Sequence, residues 1–240
     1  MIEFGAGAAL KALLLLAALS RPRAYLPVDI SREQVRDTAA AIARDHPGLQ
    51  VTAVCADYTR PFPLPRPVAR AAVRPLGFFP GSTIGNFTPA EARRFLGRAR
   101  RVLAGGPLLV GVDLLKPVAV LHAAYNDRAG VTAAFNTNLL LRLNRELGAD
   151  FCLDRFRHRA FYSHRYGRVE MHLESRWCQT VHLAGQDFSF AESETIHTEN
   201  SYKYTIEGFT SLANDGGFAV QRVWTDARDW FALFLLRPPC

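Results

Sequence analysis

Apolar residues in the first half of this chain come as short continuous runs, each closed by a turn signal and followed by a stretch with helical spacing. Ile2 to Phe4 meets Gly5-Ala6-Gly7 and opens onto Leu10 to Leu19, far short of the ~20 apolar residues that span a bilayer, so this run reads as a buried helix. Tyr25 to Ile30 forms a strand ending in Asp29; Ser31 caps a helix reaching about Asp45; Gln50 to Ala56 is the next strand and leads to Asp57. Residues 60 to 75 hold five prolines and read as a loop. Leu76 to Phe79 then meets Pro80-Gly81-Ser82-Thr83, followed by a helix over Pro89 to Leu103 and a strand over Leu108 to Leu114. This alternation predicts a parallel sheet with right-handed crossovers.

From Lys116 to about Tyr204 the rhythm breaks. A helical stretch, Val131 to Leu147, is followed by alternating segments such as Arg168 to Ser175, which predicts an inserted α+β lobe over residues 117–204. Residues 1–116 and 205–240 would form the parent domain. It resumes with a helix near Ile206 to Asn214, the turn Asp215-Gly216-Gly217, and two apolar strands, Phe218 to Trp224 and Trp230 to Leu236. An antiparallel pair closing an otherwise parallel sheet is typical of the class I S-adenosylmethionine-dependent methyltransferase fold, Rossmann-like α/β, and not of dehydrogenases.

Composition narrows the function classes. The 240 residues are 49% hydrophobic, enough for a substantial core. Four scattered cysteines with no CxxC pair argue against a zinc ribbon or redox motif and fit a cytoplasmic location. Seven histidines without HxxxH spacing give no expectation of a metal. A secretory signal is disfavoured, because Glu3 precedes the apolar run and Lys11 splits it. The formal charge of +7 rests on arginine, densest at Arg93, Arg94, Arg98, Arg100 and Arg101 on one helix without stacking aromatics. That pattern is a solvated helix face rather than a nucleic-acid surface, and no base-flipping motif accompanies it.

Candidate chemistry begins at the first turn. A strand, a glycine turn and a helix whose first amides face that turn bind nucleotides, because glycine lets backbone approach the ligand and the helix N-terminus favours negative charge. Asp29 lies where a Rossmann-type site places an acid on ribose hydroxyls, and Asp57, one strand further, is positioned to accept from an adenine amino group. By themselves these features give a nucleotide-binding α/β protein.

Four further motifs are more specific: FPGSTIGNF at 79–87, GVDLLK at 111–116, AYND at 124–127 with GVTAAFN at 130–136, and TENSYKY at 198–204. They resemble the histidine-specific N-α-methyltransferases of ergothioneine biosynthesis, nearly end to end. The resemblance implies that Asn86 and Tyr125 hold the amino-acid end of L-histidine, the nearest thing here to catalytic residues, and that Glu199 and Ser201 hold the imidazole. A carboxylate beside a hydroxyl suits imidazole's paired donor and acceptor, and a site of this kind rejects substrates lacking the ring by ~10⁴-fold. Met171 aligns with a residue of the family's substrate pocket, with ordinary core as its competing reading, and Thr132 would assist near the amine. For the S-adenosylmethionine cofactor the resemblance assigns Gly5, Gly7, Lys11 and Gly81. Ala12 stands where the family commonly has Thr or Ser, which predicts weakened cofactor contacts.

The implied reaction is in-line attack of an unprotonated amine on the sulfonium methyl, three times on one nitrogen, by a cytoplasmic monomer needing no nucleic acid and no membrane. Members of the family also carry a segment before the glycine turn that packs on the insertion, and the sequence as given starts at that turn. Two other readings therefore stay open here: a methyltransferase for another small amine, and an inactive remnant that binds S-adenosylmethionine.

Overall fold

A computed structural model describes residues 1–7, 9–65 and 75–239. Part of the proline-rich loop lies outside the described residues. The chain divides into two units, Met1–Leu114 with Tyr204–Cys240, and Leu115–Lys203.

In the first unit the apolar runs become strands of one sheet. β1 (Ile2–Phe4), β2 (Ala24–Asp29), β5 (Gly77–Phe79) and β6 (Leu108–Asp113) are parallel, joined by α1 (Leu10–Ala18), α2 (Arg32–Asp45) and α3 (Pro89–Val102). The strand expected over Gln50 to Ala56 is two pieces, β3 (Gln50–Val51) and β4 (Val54–Cys55), both parallel to β2 and in one register. On this edge Thr52 N donates to Tyr25 O at 3.0 Å and Ala56 N to Asp29 O at 2.9 Å. Pro27 falls between these contacts and has no N–H, so the ladder is interrupted opposite it.

After α6 (Ile206–Asp215), β12 (Ala219–Thr225) and β13 (Phe231–Arg237) close the sheet antiparallel, giving the order β12-β13-β6-β5-β1-β2-β3 with β4 also on β2. The chain leaves β1 towards β2 and returns to β5 on its other side. The carboxyl ends of β1 and β5 therefore mark the topological switch point, where open α/β sheets bind ligands.

The core follows helical spacing. α3 buries Ala92, Phe95, Leu96 and Ala99 and turns its arginines outward, with a Thr88–Glu91 capping box at its start. The Phe95 ring lies 4.4 Å from Phe79 and 5.6 Å from Phe4, centroid to centroid, which binds helix to sheet. Among the described residues no helix is long and apolar enough to cross a membrane.

The second unit is built differently. β7 (Phe156–Ser163), β8 (Arg168–Ser175) and β11 (Thr195–Tyr202) make an antiparallel sheet with β8 central, and β9 (Gln179–Leu183) pairs with β10 (Gln186–Phe190). Helices α4 (Val118–Tyr125) and α5 (Val131–Leu147) complete it. One cluster joins Leu140, Phe151, Phe156, Leu173 and Val181; another joins Leu121, Ala160, Val169 and Met171. β8 alternates in sequence yet is buried almost throughout. Its polar residues are enclosed with partners: Glu174 with Arg157 and Arg159, and Glu170 with Arg168 and His172.

Candidate active-site residues

In the first unit, the residues after β1 turn on glycine. Gly5 sits at φ +71°, and its amide and that of Ala6 both donate to Val28 O, at 2.9 and 3.2 Å. Thr38 Oγ1 on α2 donates to Gly7 O at 2.9 Å. A Cβ on Gly5 would stand 3.3 Å from Tyr58 Oη, so a side chain there is strained by both φ and space. Under this turn Glu3 is buried and accepts from the Tyr25 hydroxyl. Desolvation pushes the Glu3 carboxyl up to about 7, against the opposing pull of Tyr25 and of the Lys11 charge.

The loop after β5 approaches closely. Gly81 (φ +77°) and Ser82 (φ 60°) are both left-handed, and Thr83–Asn86 form one 3-10 turn. A Cβ on Gly81 would lie 3.2 Å from Lys11 Nζ, so Lys11 and Gly81 are neighbours. Ser82 Oγ accepts from Asp113 N at 2.8 Å, tying the loop to the end of β6. At Gly111 a Cβ would come 2.8 Å from the Phe231 ring and 3.1 Å from Gly81 N; only hydrogen fits there. Asn86, the last residue of the 3-10 turn, is exposed.

The two strand-end acids differ in how committed they are. Asp29 Oδ1 accepts from Ser31 N at 2.8 Å. Asp57 Oδ1 accepts from Thr59 N at 2.9 Å while Oδ2 faces Arg60 Nε at 3.2 Å, and the Thr59 hydrogen bonds hold its carboxyl below the usual range. Ala12 corrects an expectation: its side chain is fully buried with Leu16, Tyr25 and Ile42, so a larger polar residue there would meet core rather than ligand. Glycine backbone, a lysine and strand-end carboxylates around the switch point fit a nucleoside cofactor with a charged amino-acid tail.

In the second unit the decisive feature is a β-bulge. His197 pairs with His172, but the register shifts at Thr198, so Glu199 pairs with Met171 and Ser201 with Val169. Paired residues share a face of the sheet. His197 and Glu199, two apart and expected on one face, are therefore on opposite ones. Thr198 Oγ1 donates to Met171 O at 2.9 Å and holds the bulge. Glu199 and Ser201 consequently share the face of Met171, Val169 and Ala160, against which Leu121 and Tyr125 pack. Met171 is buried core, directly opposite Glu199 in the register.

Tyr125 closes this group. Its hydroxyl donates to Ser201 Oγ at 2.8 Å, and the buried Lys203 ammonium donates to Tyr125 Oη at 2.9 Å and to Ser201 Oγ at 2.6 Å. Burial raises the Glu199 carboxyl above its usual value, moderated by the Lys203 charge. Tyr125 is positioned from behind: Asn136 Nδ2 donates to His172 O and to His158 Nδ1, both at 3.0 Å, leaving the His158 Nε2 proton to donate to Tyr125 O at 2.8 Å. Thr132 lies in the first turn of α5, where its amide and that of Val131 donate to Asp127 at 2.9 Å; these bonds hold the Asp127 carboxyl at about 2.

Glu170, His172 and His197 place one ligand atom each within 4.8 Å of one another. The two imidazoles stack at 4.5 Å with 13° between planes, and Glu170 is already held by Arg168 at 2.8 Å. Lone pairs of parallel rings do not converge, so a metal would require the rings to turn.

Residues 1–238 match the family described as "Histidine-specific methyltransferase, SAM-dependent". The chain belongs to this family. Histidine N-alpha-methyltransferases from Mycolicibacterium smegmatis and Mycobacterium tuberculosis are 39% and 37% identical to it, over 98% of this chain and 74% of each relative. "Ergothioneine biosynthesis protein 1" of Neurospora crassa is 26% identical over 96% of this chain and 26% of its own length. Solved structures share the fold. An S-adenosylmethionine-dependent methyltransferase from Clostridium acetobutylicum superimposes with a TM-score of 0.54 at 11% identity, covering 100% of this chain and 83% of that one. A Burkholderia thailandensis 1,6-didemethyltoxoflavin-N1-methyltransferase, solved with S-adenosylhomocysteine, gives 0.51 at 9% identity, over 100% and 70%. Within this histidine-specific, S-adenosylmethionine-dependent family, sequence reasoning missed Lys203, His158 and Asn136 as supports of Tyr125 and Ser201. Lys203 was within reach, being two residues past Ser201 in the same motif.

Proposed function

We propose that this protein transfers the methyl group of S-adenosylmethionine to the α-amino group of L-histidine, three times on one nitrogen, giving N-α-trimethylhistidine. The observation that supports this most is the shared face of Glu199 and Ser201 beside Tyr125 and Lys203, which puts a carboxylate acceptor and a hydroxyl, the partners an imidazole needs, on one side of the strand. The first unit is the cofactor domain and the second the substrate lobe.

Gly5 and Gly7 offer backbone to the cofactor's amino-acid tail, with Lys11 and Gly81 alongside. Asp29 retains Oδ2 for ribose hydroxyls, and Asp57 accepts from the adenine amine through what its Thr59 and Arg60 contacts leave. When bound, S-adenosylmethionine supplies an electrophilic sulfonium methyl.

The protein's part is alignment and exclusion of water. Asn86 of the first unit and Tyr125 of the second are the residues assigned to the amino-acid end of histidine, whose neutral amine is the nucleophile; no covalent intermediate with the chain is required. Each round needs the amine to lose a proton first. Glu199 holds the ring and acts in specificity, not as the base. The protein works as a cytoplasmic monomer on a small molecule.

Incubation with S-adenosylmethionine and L-histidine, followed by mass spectrometry, tests this: successive gains of one, two and three methyl groups on histidine are expected. Methylation of another amine in preference to histidine would overturn the substrate assignment. Binding of S-adenosylhomocysteine without any turnover would overturn the reaction.

A further inference from the structure

We infer that Lys203 is a specificity-determining positioning residue, fixing which way the Tyr125 and Ser201 hydroxyls point and so the hydrogen-bond polarity offered to the ring. This deepens, and rests on, the histidine reading above.

An ammonium has three protons and no acceptor, so wherever it touches a hydroxyl it must donate. Lys203 Nζ does so twice, to Tyr125 Oη at 2.9 Å and Ser201 Oγ at 2.6 Å. The two hydroxyls also bond to each other at 2.8 Å with Tyr125 donating, as the more acidic partner should. Ser201 Oγ thereby accepts twice, from Lys203 and from Tyr125, and both of its lone pairs are committed. Its own proton is what remains, and it can only donate outward. Glu199, two residues back on the same face, can only accept when ionised. The strand thus presents one donor and one acceptor.

Neutral imidazole carries the complementary pair, one acceptor nitrogen and one N–H. Protonated imidazole carries two donors and would leave the Ser201 proton unmatched. A ring without nitrogen leaves both protein groups unpaired. Without the ammonium, the Tyr125–Ser201 pair can reverse, Ser201 donating to Tyr125 and losing its outward proton. Lys203 has a second effect on the same face, since its charge lowers the Glu199 carboxyl against the burial that raises it. Lys203 itself is anchored by its backbone amide, which donates to Gly167 O at 2.9 Å, and its ammonium lies 5.0 Å from the Tyr125 ring centroid.

The test compares L-histidine with 3-(2-thienyl)alanine, whose ring has similar size and no nitrogen, in the wild type, Lys203→Gln, Ser201→Ala and the double variant. A glutamine amide both donates and accepts, so it stays polar in the buried position without fixing polarity. In Lys203→Gln the KM for histidine should rise roughly tenfold with kcat changed much less, and the preference for histidine over the thienyl analogue should fall by about the same factor. The acidic limb of kcat/KM for histidine should move to higher pH. At a pH above the acidic limb of every variant, where Glu199 is ionised throughout, the double variant should lose no more discrimination than Ser201→Ala alone, because there Lys203 acts through that hydroxyl. S-adenosylhomocysteine binding, measured by calorimetry, reports that each variant is folded; Lys203→Arg, which can still only donate, is a second variant and should retain most of the discrimination. Additive losses in the double variant, or an unmoved acidic limb, would overturn the inference while leaving the histidine reading intact. Wild-type protein that does not methylate histidine would overturn both.

Discussion

The two units meet their chemical tasks with different materials. In the first, the groups around the switch point are mainly backbone: Gly5 and Gly81 in left-handed conformation, and Gly111 shaved to hydrogen where Gly81 and Phe231 approach. In the second, they are side chains in a hydrogen-bonded chain from Asn136 through His158 to Tyr125, then Ser201 and Lys203. Burial follows the same division. Among the described residues, Glu3 and Thr38 are the buried polar side chains of the first unit, whereas the second encloses Asn136, Glu170, His172, Glu174, Ser175, Ser201 and Lys203. A cofactor common to a whole fold can be held by backbone that any sequence supplies. Choosing one ring among many needs side chains with fixed donor and acceptor roles, and these must be buried to discriminate.

This contrast predicts that the first unit fails by crowding and the second by polarity. Gly111→Val should have the largest effect, because its methyls enter space held by Phe231 and the Gly81 amide. A loss of about 3 kcal/mol in denaturant unfolding is expected, with weaker S-adenosylhomocysteine binding. Unchanged stability and affinity would mean that the loop after β5 does not depend on close approach. Glu199→Ala should cost histidine kcat/KM ~10- to 100-fold, the worth of one hydrogen bond to a charged group, while leaving cofactor affinity in place. In the wild type, histidine affinity should be lost as pH falls through the raised Glu199 pKa, since the protonated carboxyl no longer serves as a pure acceptor.

Glu3 is the exception in the first unit and gives a pH signature. Its folded pKa, about 7, lies above the ordinary value of 4.5, so between those values the folded state binds the extra proton. Stability from this group is fully present below pH 4.5 and is lost as pH rises to about 7, with no further change beyond. Glu3→Gln should flatten that slope and be more stable than wild type at pH 8 by roughly 2 kcal/mol, seen by denaturation at several pH values. A parallel pH dependence in the two proteins would show that Glu3 titrates normally. The smallest effect belongs to the surface of the second unit. Glu146→Ala removes exposed pairs with Arg142 and Arg145, and the denaturant unfolding curve should stay where it is, because solvent screens both pairs.

The order of elements was legible in the sequence because continuous apolar runs, helical spacing and caps are local properties. Ser31 and Thr88 sit where cap residues must, and α5 occupies Val131–Leu147 as its pattern predicts. Gln50 to Ala56 read as one strand because the cause of its interruption, Pro27, is on the neighbouring strand. The expectation about Ala12 came from the family resemblance, and a residue type at one position does not say that its side chain faces Leu16, Tyr25 and Ile42.

The candidate residues themselves were legible by motif, but their arrangement was not. Alternation puts His197, Glu199 and Ser201 on one face of a strand; the bulge at Thr198 moves His197 to the other and joins Glu199 and Ser201 to Met171 and Tyr125. Sequence by itself determined the α/β order, the inserted lobe pattern and the residue types able to hold a nucleotide and an imidazole. Tertiary structure alone decided which of them share a face, and that the Lys203 ammonium donates to the Tyr125 and Ser201 hydroxyls. The physical reason is that strand register and hydrogen-bond direction are set by partners distant in the chain, and no local pattern encodes them.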